Sequence, residues 1–233
     1  MAMIIRMITG TTTITTIPMA EADDLALLRL VQWLSPAFPT GAFAYSHGLE
    51  QAIASGDVRD EEGFAAWLAD ILDYGAGWND AVLLACGLRG EPLDALADLA
   101  RALAGSAERL RETTEQGSAF GRALAEMTGR KAAASEPLPV ALARSGRELG
   151  LPVERIIAVF LHSFASNLVS AGVRFIPLGQ SAGQRVLAEQ HLRIAGIAAR
   201  AASAGRGDLA SSAFRAEMQA MAHETLDVRI FKT

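Results

Sequence analysis

Residues Pro152–Ala171 read PVERIIAVFLHSFASNLVSA. Ile156, Ile157, Val159, Phe160, Leu161, Phe164 and Leu168 make the stretch apolar on almost every side of a helix. A helix with no polar face belongs in the middle of a core, so this one is predicted to be the central buried helix. Pro152 suits its first turn, where a missing N–H costs nothing, and Gly172 follows it.

Helical signals continue on both sides. Downstream, the chain turns through Pro177 into Leu178–Ala202, Asp208 caps a last helix running towards Glu224, and Val228–Thr233 forms a short tail. Upstream, Val140–Leu149 ends at Gly150, and Lys131–Pro139 is the best loop or hinge. Ser106 opens a long helix, Glu108–Thr128, that stops at Gly129. Pro92 starts Leu93–Leu103, and Trp78–Leu88 closes at Gly90. Asp60 caps a helix whose Phe64, Trp67, Leu68, Ile71 and Leu72 recur at helical spacing. Tyr45–Ser55 reads as a helix stopped by Gly56. Asp23 and Asp24 lie in the first turn of a helix through Leu34, which Pro36 and Pro39 end.

No strand-turn-strand pattern follows residue 20, and no fixed repeat is visible. The expectation is an all-α fold, a single compact domain of about ten helices over residues 21–227. The tail 228–233 follows, and residues 1–20 precede as a flexible extension. That extension holds Ile4, Ile5, a lone Arg6 and a threonine-rich run from Thr11 to Thr16, too broken for a signal peptide. Met7 and Met19 are alternative starts.

The 233 residues are 51% hydrophobic and 20% charged, which suits a globular chain. A formal net charge of -5 argues against a nucleic-acid binder, which needs a basic face. No basic block addresses a membrane surface, and no apolar run reaches the length that spans a bilayer. Cys86 is the only cysteine, so no internal disulfide forms, and the cytoplasm is the expected compartment.

Catalytic signatures are scarce. Gly129-Arg130-Lys131 lacks the upstream glycine and following hydroxyl of a phosphate loop. His47, His162, His191 and His223 form no i, i+4 pair, and His223-Glu224 has no second histidine at metalloprotease spacing. No metal-ligand set and no tightly bound cofactor is therefore expected. Gly179-Gln180-Ser181-Ala182-Gly183 matches G-x-S-x-G, but that elbow needs a strand before it and a sheet beneath it. A helical serine hydrolase using Ser181 or His47 stands as an alternative, beside a generic helical adaptor.

Ser35–Glu50, SPAFPTGAFAYSHGLE, is the most distinctive segment. A helix from Ala44 would put Ser46 and Glu50 on one face and His47 beside Gln51. The simpler reading is a helix start with Tyr45 packed and His47 hydrogen-bonded. With Leu28–Leu34 before it, the segment resembles the N-terminal signature of the urease accessory protein UreF family. Ile176–Arg185, IPLGQSAGQR, resembles that family's signature on a later helix, and His223-Glu224 with Arg229 and Phe231 resembles its C-terminal end. Gly41-Ala42 departs from the family's paired glycines, and Leu226-Asp227-Val228 from its aromatic and hydroxyl residues.

The resemblance implies a non-enzymatic, all-α, dimerising scaffold. It would bind the accessory protein UreD or UreH through its terminal regions and recruit the GTPase UreG. Apo-urease would be the client and nickel the cargo in transit. The partner-binding residues it suggests are Tyr45, Ser46, His47, Glu50, Gln180, Gln184, Arg185, His223, Glu224, Arg229 and Phe231. Arg185 would offer its fork to Glu50 or to a carboxylate on UreG. Phe231 would serve as an exposed anchor, or fold back on the last helix.

Overall fold

The computed structural model describes all residues except 1–2, 7–13, 18, 132–134 and 177. Met7, most of the threonine-rich run, the middle of the expected hinge and Pro177 thus lie outside the described residues. Strands β1 (Met3–Arg6) and β2 (Ile14–Ile17) pair antiparallel, with Met3 opposite Ile17. The regular elements described after them are helices: α1 (Met19–Trp33), α2 (Leu49–Ala54), α3 (Glu61–Tyr74), α4 (Ala76–Leu88), α5 (Leu93–Ala102) and α6 (Ala107–Thr128). Then come α7 (Leu138–Gly146), α8 (Val153–Phe175), α9 (Gln180–Glu189), α10 (His191–Ser203) and α11 (Phe214–His223). The fold is all-α.

Four of the expected start and stop signals act as read, at Asp60, Ser106, Gly129 and Gly150, whereas α1 starts at Met19, so Glu21 and not Asp23 or Asp24 lies in its first turn. Asp60 accepts from the Gly63 N–H at 2.8 Å and Ser106 from the Arg109 N–H at 3.0 Å. Gly129 (φ 68°) and Gly150 (φ 70°) take the left-handed conformation that ends their helices.

Two helices share the centre, not one. α8 buries Ile156, Ile157, Phe160, Leu161, Ala165 and Leu168. α4 buries every residue from Ala81 to Gly87, and it packs against α3, α5, α7, α8 and α10. Its alanines and glycine permit close approach: a Cβ on Gly87 would lie 2.5 Å from that of Ala143 in α7. By length and composition α8 is long and apolar enough to cross a membrane, contrary to expectation.

α8 outruns its expected end at Ala171 because Gly172 is not a stop. A Cβ there would come within 2.6 Å of the Phe64 ring, so glycine is what lets α3 cross α8. The expected helix Leu178–Ala202 is two helices, broken at Gln190. The Gln190 side chain is buried and accepts from Arg193 Nε at 3.0 Å, and Arg193 also pairs with Asp73 of α3. Asp208 does not cap the last helix. Its carboxylate accepts from the Gly205 N–H at 2.8 Å, closing a 3-10 turn, and α11 starts six residues later, at Phe214.

Gly172→Ala is therefore expected to cost about 1–3 kcal/mol of stability through overpacking against Phe64. Gly196→Ala, in the same kind of helix interior but with nothing within 4 Å of the added methyl, should be neutral or stabilising. Chemical denaturation of both variants checks the pair; equal midpoints would contradict the crossing described here.

Candidate functional site: a buried polar seat for the closing segment

The seat starts from a turn that the sequence pattern misjudged. α2 begins at Leu49, not at Ala44 or Tyr45. A 3-10 turn covers Ala42–Ala44, Tyr45 is extended, and His47 (φ 54°) and Gly48 (φ 75°) are both left-handed. The backbone of α11 accounts for glycine at 48: a Cβ there would lie 2.6 Å from the Ala220 nitrogen. His47 carries a side chain in a region that most residues avoid. It is held by a 2.8 Å polar contact with Glu112 and by edge contact with Phe164. His47 and Gln51 thus share no helix face. Ser46 and Glu50 do meet, through the Glu50 N–H donating to Ser46 Oγ at 3.3 Å.

The extended stretch gives the closing segment something to pair with. The Lys232 N–H donates to the Ala44 carbonyl at 2.7 Å, and the Ser46 N–H donates to the main-chain oxygen of Thr233 at 3.1 Å. Ser46 Oγ also donates to that oxygen. Thr233 Oγ1 accepts from the N–H groups of Ser46 and His47 at 3.1 and 3.2 Å. Tyr45 donates its hydroxyl proton to Glu115, and Lys232 reaches the same carboxylate at 3.0 Å. Burial, then the Glu115 hydrogen bond, pushes the Tyr45 hydroxyl well above the usual tyrosine range.

Glu50 is the centre of the seat. Its Oε1 accepts from the Ile230 N–H and its Oε2 from the Phe231 N–H, each at 2.9 Å. His223 Nε2 lies 3.1 Å from the same Oε2, while His223 Nδ1 lies 2.7 Å from Glu108 Oε2. The imidazole is completely buried, with one carboxyl group against each ring nitrogen. Arg229 donates to the other Glu108 oxygen at 2.7 Å. Glu224 caps α6, accepting from the Ala107 N–H at 2.7 Å, where the helix dipole favours a negative charge.

Phe231 is not an exposed anchor. Phe231 folds back and is buried against Phe175, with the Arg174 guanidinium over its ring. Beneath it lies a second buried group: Arg109 bridges Asp80 (2.6 Å) and Glu112 (3.7 Å), and Gln116 donates to Glu112 at 2.9 Å. Burial raises Asp80, and the nearby Arg109 only partly offsets it. Burial would also raise Glu112, but His47 and Arg109 outweigh it and hold that carboxyl low. These side chains line two small cavities of about 80 and 70 Å³.

The second half of the expected surface lies elsewhere. Arg185 forks onto Glu61 of α3 at 2.9 and 2.8 Å, not onto Glu50, whose oxygens are both taken. Gln180, Gln184 and Arg185 are exposed on α9 and join none of the contacts to the tail described above. Ser181 sits in the first turn of α9, after helix α8 rather than a strand, so the G-x-S-x-G match is no nucleophile elbow. Cys86 is core, its thiol pushed up to about 11 first by burial. Among the described residues no three histidine, cysteine or carboxylate side chains are placed to hold a metal ion.

The pattern reading overlooked Asp80, Glu108, Arg109, Glu112 and Glu115. Glu108, Glu112 and Glu115 stand at i, i+4 and i+7 on α6, and Glu112, Gln116 and Phe120 continue one line into the core. A row of polar side chains leading to a buried phenylalanine was the available signal.

The UreF family model matches residues 58–191. The chain is 60% identical over 208 residues to the urease accessory protein UreF of Cereibacter sphaeroides, covering 89% of this chain and 99% of that protein. It is 48% identical over 211 residues to the protein of that name from Dinoroseobacter shibae, covering 89% and 99%. For that of Paracoccus denitrificans the identity is 49% over 211 residues, covering 90% and 97%. With more than half of its length matched by the family model and relatives that align almost end to end, this chain belongs to the UreF family of urease accessory proteins, which assist an enzyme rather than act as one.

Proposed function

We propose that this chain is a cytoplasmic scaffold that assembles with UreD or UreH and the GTPase UreG to insert nickel into apo-urease. Guided delivery is physically sensible, because nickel binds many wrong nitrogen and sulfur sites tightly and geometry must supply the selection. Nickel is cargo here, and nucleotide hydrolysis belongs to UreG.

One observation carries the reading. Phe214, Met218 and Met221 stand at i, i+4 and i+7 on α11, all exposed, and Val228 and Ile230 of the tail are exposed after them. The seat orders the backbone of this segment and turns these apolar side chains outward. An ordered apolar row on a chain otherwise rich in surface charge suits a protein contact, and methionine adapts well to a partner's shape. UreD or UreH is the partner assigned to this face. A homodimer is part of the same reading, through close helix packing elsewhere on the molecule.

Four outcomes are expected. Met218→Asp should change stability by no more than about 0.5 kcal/mol, as for other exposed sites, while co-purification with UreD or UreH and nickel-dependent urease activation are lost. A stable variant that still forms the complex would reject this assignment of the face. Glu50→Ala should behave differently: it strips the acceptor from two backbone N–H groups and from His223, so about 2–4 kcal/mol of stability and the complex should fall together. Finally, the purified chain should show no GTP turnover above buffer, and light scattering at micromolar concentration should give a dimer.

A further inference from the structure

Two histidines take no part in the seat, and they stand together. His162 lies midway along α8 and His191 opens α10. Their rings approach to 5.5 Å between centroids, tilted by 38°. Both residues are exposed. The hydrogen-bonded histidines among the described residues are His47 and His223, which leaves this pair with nitrogens open to solvent.

The spacing has a chemical meaning. An imidazole nitrogen binds a zinc-sized ion at about 2.0–2.1 Å, which puts the ring centroid roughly 3.2 Å from the metal. Two such rings on one ion, at a tetrahedral angle, have centroids roughly 5 Å apart. The observed centroid separation of 5.5 Å is close to that value. Both histidines are carried on helices that pack directly on each other, so the backbone holds the spacing without a ligand.

We propose that His162 and His191 form a two-point surface site for a first-row divalent transition ion of the kind that imidazole favours: nickel, copper or zinc. Among the described residues no third histidine, cysteine or carboxylate completes the set, so water fills the remaining positions. Magnesium, which wants oxygen ligands in octahedral geometry, is excluded by this chemistry. The bound ion clips the start of α10 to the middle of α8. The site does not depend on how the chain engages its partners.

The test uses the full chain, stripped with a chelator and titrated with Ni²⁺ at pH 7.5 by calorimetry, with Mg²⁺ as the control. One Ni²⁺ per chain is expected, with no response to Mg²⁺. His162→Ala and His191→Ala should each weaken that event by about tenfold or more, since losing a direct ligand costs at least what losing its supporting shell does. Because both side chains are exposed, neither substitution should lower the melting temperature in the absence of metal. Paramagnetic Ni²⁺ should also broaden the ring C–H signals of His162 and His191 before those of His47 and His223. Absence of Ni²⁺ binding, unchanged affinity in both variants, or broadening confined to His47 and His223 would overturn the site.

Discussion

A carboxylate held away from water must be met by donors, and in this chain the demand is concentrated at Glu50, only 6% exposed. Its oxygens are met by the N–H groups of Ile230 and Phe231 and by His223, all from the far end of the chain. The rest follows from that closure. Backbone donors fix the register of the closing segment to the residue, because a shift by one would present a carbonyl where an N–H is needed. The segment then lies along extended Tyr45–Ser46, and that path requires the left-handed turn at His47–Gly48. Gly48 in turn admits the backbone of α11, which brings His223 into place between Glu50 and Glu108.

Most of the helical framework was legible in the residues. Ser106 and Asp60 cap, Gly129 and Gly150 stop, and the apolar spacing of α3 and α8 is strong; these are local effects that a local pattern reports. The misjudged boundaries are those decided at a distance. No glycine or proline marks the break between α9 and α10; a buried Gln190 and its Arg193 neighbour do, and their partner Asp73 lies on another helix. Gly172 looked like a stop because that is what glycine usually signals, yet here it is a contact point for Phe64. The late start of α2 depends on the tail, some 180 residues away in sequence, as with the contacts from Glu50.

The candidate site was legible in part. Tyr45, Ser46, Glu50, His223 and Arg229 were singled out, and the structure brings them together. Arg185 was assigned to the wrong carboxylate: a fork-shaped donor fits any exposed glutamate, and only the packing of α9 on α3 selects Glu61. The glutamates of α6 were passed over because charged residues usually mark the wet face of a helix. On α6 the inward face is the charged one over its first turns and becomes apolar only at Phe120, so polarity alone points the wrong way.

The charge network raises the question of what it contributes. Buried ion pairs are weak evidence for stability, since desolvation offsets much of their attraction. An apolar tail packed on an apolar seat would hold as well or better, but it could slide. Arg229 on Glu108 and Lys232 on Glu115 each pair a partly exposed cation with a carboxylate on α6, and the two carboxylates stand seven residues apart. That spacing gives each cation one correct carboxylate and leaves a shifted tail with unmatched charges on both sides. The network therefore contributes selection more than strength. It holds Val228 and Ile230 outward in one register, and an apolar surface can serve as a specific contact only while its residues keep fixed positions.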